Sequence, residues 1–115
     1  MNATSINIKF HGSILLSASG ESAVSGTPRS GDRLDVQVGN HFTACDIEAE
    51  SNHIEHFSPG QEYAVTLSFP FGEYYKEDLR PGITSDLTFG AHKIGIVTIG
   101  AKIAPSASAG SSRAI

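Results

Sequence analysis

Apolar and polar residues alternate along several short stretches of the chain, which is the pattern of strands that bury one face. The first stretch, residues 5–18, places large apolar side chains on one side: Ile6, Ile8, Phe10, Ile14 and Leu16. Gly12 takes an inward position in this series, and a missing side chain there is typical of a bulge or a sharp bend. Residues 5–18 therefore predict a long, half-buried and bent strand.

Further strands are predicted over residues 33–38, 41–50, 61–69, 83–89 and 92–103. In residues 41–50 the acidic side chains share the outer face, so Cys45 belongs to the buried one. In residues 83–89 the alternation places Phe89 on the same inward face as Leu87. In the last strand Ile94 and Val97 have opposite parity, which predicts either a bulge near Val97 or burial on both sides.

Residues that break regular structure separate these strands. Residues 19–32 are rich in Gly, Ser and Pro and predict an exposed loop. Pro59-Gly60 and Gly90-Ala91 predict turns, and Pro70, which has no N–H to donate, predicts a bend or an edge. Residues 73–79 predict one helical turn or an excursion from the sheet. Residues 104–115 are low in complexity and predict a mobile tail after a single β-barrel domain over residues 1–103.

Composition favours one all-β domain in the cytoplasm. The chain has 115 residues and twelve glycines, and Cys45 is its only cysteine, so an internal disulfide is impossible. No basic segment followed by an apolar run and no stretch of about 18 apolar residues occurs, so we expect neither secretion nor membrane contact.

Six or seven short strands at regular spacing predict a closed barrel or a sandwich. The order of motifs resembles the C-terminal barrel (domain 3) of elongation factor Tu and related translational GTPases over about residues 8–99. The matching positions are Phe10 to Ser17, Thr27-Pro28, Gly31, Arg33 to Val38, Thr43 with Asp46, Pro59-Gly60-Gln61, Val65-Thr66-Leu67, Pro70, Gly82-Ile83, Gly90-Ala91-His92 and Ile94-Gly95-Ile96-Val97. The resemblance implies an all-β, closed antiparallel Greek-key barrel of about six strands.

The chain departs from that family at positions that bear on function. His92 stands where the family's closing hairpin has arginine, Ala91 replaces the second glycine of that turn, and Arg33-Leu34 replaces an Arg-Pro pair. The chain contains no Gly-x4-Gly-Lys-Ser/Thr motif, so nucleotide hydrolysis is excluded on it. The resemblance therefore implies a stand-alone barrel that lacks the GTPase domain.

The segment 70–80 carries the richest mixture of aromatic and charged residues, including Phe71, Tyr74, Tyr75 and Arg80. Protein interfaces use exposed aromatic rings inside a polar rim. We therefore predict a non-catalytic module that docks onto a protein partner through this segment and needs no cofactor. The alternative is that two of the rings plug one end of the barrel.

Two other functions are weighed against protein binding. The family's barrel helps to hold aminoacyl-tRNA, which implies an RNA-binding alternative through Arg29, Arg33, His92 and Lys93, although the formal charge of -4 opposes it. A remote alternative is metal-dependent hydrolysis at Asp46, Glu48, His53 and His56. An exposed polar strand face explains those four residues better, because structural zinc normally recruits thiolates and Cys45 faces the other way.

Overall fold

The computed structural model describes residues 7–17, 28–89 and 92–104, which form a closed antiparallel β-barrel. Its strands are β1 (Ile8–Leu16), β2 (Arg33–Val38), β3 (His41–Ala49), β4 (Glu62–Phe69), β5 (Thr84–Phe89) and β6 (His92–Ile103), with a 3-10 helix at Gly72–Tyr75. Within these ranges no helix has the length and apolar character needed to cross a membrane.

The barrel closes because β1 pairs with both β4 and β6 in the order β1-β4-β3-β2-β5-β6. Strands β2, β3 and β4 follow one another along the sheet, and β1 lies beside β4, which is a Greek-key arrangement. The predicted all-β, six-stranded closed barrel is thus confirmed.

The interior of the barrel is filled by the inward residues of every strand. From β1, β2 and β3 these include Ile8, Phe10, Ile14, Leu16, Leu34, Val36, Val38, Cys45 and Ile47, and from β4, β5 and β6 Tyr63, Val65, Leu67, Phe69, Leu87, Ile94, Val97 and Ile99. Each large side chain removed from water stabilises the fold by roughly 1.5–3 kcal/mol. Cys45 lies in this core as the alternation predicts.

Strand pairing is irregular beside Gly12, where the sequence predicts a bulge or a bend. The register of β1 against β6 shifts between Phe10 and Gly12. A Cβ atom at Gly12 would lie 2.5 Å from the carbonyl oxygen of Thr98 and 2.7 Å from Cδ1 of Leu67, so any larger side chain would force β1 away from its neighbours.

A second irregularity explains the parity change in β6. Leu87 pairs with Gly95 and Thr88 pairs with Lys93, which leaves Ile94 as the extra residue on β6. The predicted bulge therefore exists, but at Ile94 and not at Val97. Phe89 is 38 % exposed whereas Thr88 before it is buried, so the expectation that Phe89 shares the buried face of Leu87 is wrong.

The connection before β2 is more ordered than its sequence suggests. Pro28 is buried, and its carbonyl accepts a hydrogen bond of 3.0 Å from the N–H of Phe57. The N–H of Gly31 donates to the carbonyl of Ile47 at 2.7 Å and the N–H of Ile47 donates to the carbonyl of Asp32 at 3.1 Å, so Gly31 and Asp32 continue the pairing of β2 with β3. Residues 30 and 31 form a turn and Arg29 and Gly31 are exposed, as the loop prediction expects, but backbone hydrogen bonds to residues 47, 55 and 57 hold this part against the barrel. Residues 18–27, the Gly90-Ala91 turn and the predicted tail from residue 105 onward lie outside the described residues.

One polar side chain in the core is expected to lower stability. Among the described residues, Thr43 Oγ1 is buried without a hydrogen-bond partner. Replacing this hydroxyl by a methyl group in Thr43→Val should raise the free energy of unfolding by about 1 kcal/mol, because a buried unsatisfied polar atom is removed with little change of shape. Urea denaturation measures this free energy of unfolding, and Thr66→Val, on the outer face of β4, is the control. A loss of stability in Thr43→Val would contradict the expectation.

Candidate protein-binding site

The aromatic segment 70–80 lies at one end of the barrel. β4 finishes at Phe69 and β5 starts at Thr84, so the chain between them stays at the end where β1 also begins. We call this the upper end; it carries Ile8, Val38, His41, Phe69 and Thr84. The opposite, lower end carries Leu16, Arg33, Ala49, Glu62, Phe89 and His92.

The aromatic segment is fixed on the upper end by packing and hydrogen bonds. Leu79 is buried, and a Cβ atom at Gly72 would lie 3.1 Å from Cβ of Ile8. The carbonyl of Tyr75 accepts hydrogen bonds from the N–H groups of Asp78 at 2.8 Å and Leu79 at 3.1 Å. Downstream, the N–H of Gly82 donates to the carbonyl of Ile99 at 2.6 Å. The segment is therefore held at both of its ends.

The two tyrosines have different environments. Tyr75 is half-buried, packs against the core, and places its ring 6.3 Å from the ring of His41. Tyr74, one residue earlier, is 83 % exposed, and Phe71 is 51 % exposed. The two interpretations of this segment, an interface anchor and a plug of the barrel, therefore both apply. Tyr75 covers the upper end, whereas Phe71 and Tyr74 are exposed to solvent. Arg80 is also exposed.

A further exposed ring belongs to the same end of the molecule, and our sequence analysis missed it. Phe42 lies next to His41 on β3 and is 54 % exposed. Its neighbour Thr43 faces the core, so strict alternation already places Phe42 on the outer face. An aromatic residue at an outward strand position was the signal that could have found it.

The four basic residues of the RNA alternative lie at or near the lower end. Arg33 donates to both carboxylate oxygens of Asp46, from Nε at 2.7 Å and from Nη2 at 3.0 Å. Lys93 Nζ lies 3.2 Å from Asp86 Oδ1. Arg29 and His92 are exposed. The fold thus brings the four to one end of the barrel, but carboxylates engage two of them.

The acidic face of β3 has partners within the protein. Asp46 is held by Arg33, and the guanidinium keeps the pKa of that carboxyl below its usual range through hydrogen bonding and charge. Glu50 Oε2 lies 2.7 Å from Nδ1 of His11 on β1. Glu48, His53 and His56 are exposed. Among the described residues, no group of three or more His, Cys, Asp or Glu side chains is arranged to hold a metal ion. Cys45 is apart from these groups, and burial raises the pKa of its thiol.

Comparisons with protein-family models and with curated proteins find no match for this chain. The class that the fold and the site define is a small closed β-barrel with an anchored aromatic segment across one end.

The exposure of the two tyrosines leads to opposite expectations for stability. Tyr74→Ala should change the free energy of unfolding by less than about 0.5 kcal/mol, because surface substitutions contribute little. Tyr75→Ala should lower it by about 2 kcal/mol, because it uncovers core side chains. Urea denaturation of the two single variants gives both values. Equal losses in the two would contradict the assigned orientations.

The Arg33–Asp46 pair predicts a pH effect. Because the pKa of Asp46 is lowered in the folded state, the pair stabilises the protein above the ordinary aspartate pKa of about 3.9, and this contribution is lost as the pH falls through the lowered value. In Arg33→Gln the pKa of Asp46, followed by side-chain NMR, should rise. Arg29→Gln is the matched control, since the hydrogen bond from Arg29 to the carboxylate of Asp32 is made by its backbone N–H and not by its guanidinium. An unchanged Asp46 pKa in Arg33→Gln would refute the assignment.

Proposed function

We propose that this chain is a non-catalytic binding module that docks onto a protein partner through the aromatic segment 70–80. The observation that carries the proposal is Tyr74, whose side chain is 83 % exposed while Gly72 and Leu79 on either side are buried. A ring displayed on a fixed backbone buries a large area on binding and loses little conformational freedom, which is why interfaces favour tyrosine.

The surroundings of Tyr74 fit an interface rim. Glu73, Lys76, Glu77, Asp78 and Arg80 are all exposed, and Lys76 lies 3.9 Å from Glu73. Polar and charged side chains of both signs around a small aromatic centre exclude water from the centre while staying solvated themselves. Phe71 extends the aromatic centre on the side of β4.

The likeness to the C-terminal barrel of elongation factor Tu is part of the same proposal. A closed six-stranded Greek-key barrel is the architecture that this likeness implies, which supports a translation-factor-like barrel acting without a GTPase domain. A cytoplasmic location is supported by the single cysteine, Cys45, which is buried and unpaired.

RNA binding has less support than protein binding. A phosphate backbone is bound mainly by cations that give up counterions. Arg33 and Lys93 are already paired with Asp46 and Asp86, so RNA would compete with carboxylates for them. Metal-dependent hydrolysis has less support still, because Arg33 engages the carboxylate of Asp46.

Partner capture tests the proposal. Tagged protein should retain a specific partner from an extract of the cells that produce it, and the double variant Phe71→Ala/Tyr74→Ala should lose it. Its melting temperature should stay within about 2 °C of the wild type, because both rings are largely exposed. Phe89→Ala, at the lower end, is the matched aromatic control and should retain the partner.

Two results would count against the proposal. Equal capture by the double variant and the wild type would remove the aromatic segment from the interface. Saturable binding of bulk tRNA at low salt, lost in an Arg29→Gln/Lys93→Gln variant, would favour the RNA alternative instead.

A further inference from the structure

Among the residues that the structure describes, the first half of β3 is paired on one side only. β3 pairs with β2 from His41 to Asp46, but its pairing with β4 covers only Asp46 to Ala49. Continuing that register would place Pro70 opposite Ala44, and proline has no N–H to extend the ladder. Pro70, directly after β4, therefore leaves residues 41–44 as an open sheet edge within the described part of the chain.

The described chain that follows β4 makes no backbone hydrogen bond with this edge. Gly72 packs against Ile8 of β1, which lies on the side of β4 away from β3. Among the described residues, the backbone hydrogen bonds of segment 70–83 run within the segment and to Ile99, and none reaches residues 41–44. Contact between the two parts is made by the rings of Tyr75 and His41, at the mouth of the barrel.

Hydrogen-bond direction shows which backbone groups face the open edge. Val38 and His41 are partners across the two-residue Gly39-Asn40 turn, so they exchange hydrogen bonds within the β2–β3 hairpin. By alternation Thr43 and Cys45 also bond toward β2, as does Ile47, whose N–H donates to the carbonyl of Asp32 at 3.1 Å. The N–H and C=O groups of Phe42 and Ala44 therefore point outward into the open edge.

We propose that residues 41–44 of β3 accept an extended segment of the protein partner as an added strand, which continues the line of β4 beyond Phe69. This inference rests on the proposed function and names how the partner is held. Strand addition uses main-chain hydrogen bonds for affinity and alternate side chains for specificity. Natural edges that avoid such pairing carry Lys, Pro or a bulge, and residues 41–44 contain neither Lys nor Pro.

The side chains around the edge define the chemistry of the added strand. Phe42, exposed on the outer face, favours an apolar cross-strand neighbour. Glu77 and Asp78 are exposed on the segment that Tyr75 fixes against His41, and neither makes an ion pair within the described part of the chain. Charge complementarity therefore favours a strand with an apolar residue beside Phe42 and a Lys or Arg toward Glu77 and Asp78. A second copy of this acidic chain matches that charge pattern poorly.

Hydrogen exchange measured by NMR on the full chain tests the open edge itself. The amides of Phe42 and Ala44 should exchange at least about 100-fold faster than those of Thr43 and Cys45, whose N–H groups bond to β2. Equal protection of all four at low protein concentration would overturn the proposal. Protection of Phe42 and Ala44 that grows with protein concentration would also overturn it, because it would assign the edge to a second copy.

Selection from a phage-displayed library of random 12-residue peptides tests the ligand class. Enriched peptides should combine apolar residues with a Lys or Arg, and on binding they should slow the exchange of the Phe42 and Ala44 amides. Ala44→Pro, which removes one edge N–H, and Phe42→Lys, which leaves the backbone intact, should each weaken binding at least tenfold. Leu15→Lys, a matched outward position on a strand paired on both sides, should bind as the wild type does.

The remaining outcomes distinguish failure of strand addition from failure of the proposed function. Failure to enrich any peptide family, or peptides that bind Ala44→Pro and Phe42→Lys as tightly as the wild type, would overturn strand addition. If Phe71→Ala/Tyr74→Ala loses the cellular partner while Ala44→Pro and Phe42→Lys keep it, strand addition fails and the proposed function stands. If all of these variants keep the partner, both fail.

Discussion

The barrel depends on the close approach of three strands around Gly12. This residue pairs with Val65 on β4 and Ile99 on β6, so β1 is the strand through which the sheet closes on itself. A Cβ atom at Gly12 would meet both the backbone of β6 and the side chain of Leu67 on β4. The inward position is thus filled by neighbouring strands, and the register of β1 against β6 shifts beside it, as is common where a barrel sheet closes.

Much of this architecture follows from sequence because burial forces the alternation. All six strands were predicted with small errors at their ends, since one inward face per strand must be apolar. Sequence predicts less where backbone pairing between strands decides the structure and the local residue composition does not indicate that pairing. Gly and Ser near residue 30 indicate a loop, and a turn is present there, but the hydrogen bonds that tie it to Ile47 and Glu55 do not follow from the composition. The bulge in β6 was predicted near Val97 but lies at Ile94. Its position depends on the register of β5 against β6, and the residue pattern of one strand does not contain that register.

The candidate site was predictable in composition but not in orientation. Segment 70–80 stands out as aromatic and charged from sequence alone, whereas the opposite directions of Tyr74 and Tyr75 depend on the 3-10 helix and on the ring of His41. Phe42 lies about 30 residues before this segment, so its proximity to it does not follow from a continuous stretch of sequence. In the fold, residues that are distant in sequence lie together at the upper end. Successive antiparallel strands run in opposite directions, so every second connection lies at the same end of the barrel.

Pro70 links the fold to the proposed surface. A residue with an N–H at this position could continue β4 along β3 and close the edge that Phe42 and Ala44 present. Proline stops that ladder, and the chain turns instead toward Ile8, where the 3-10 helix displays Tyr74 and brings Tyr75 over the barrel mouth. One missing hydrogen-bond donor therefore has two consequences at the upper end, an exposed aromatic segment and an open strand edge. Because both arise from the same break in the ladder, a partner that contacts the rings would also lie within reach of backbone groups that can hold it.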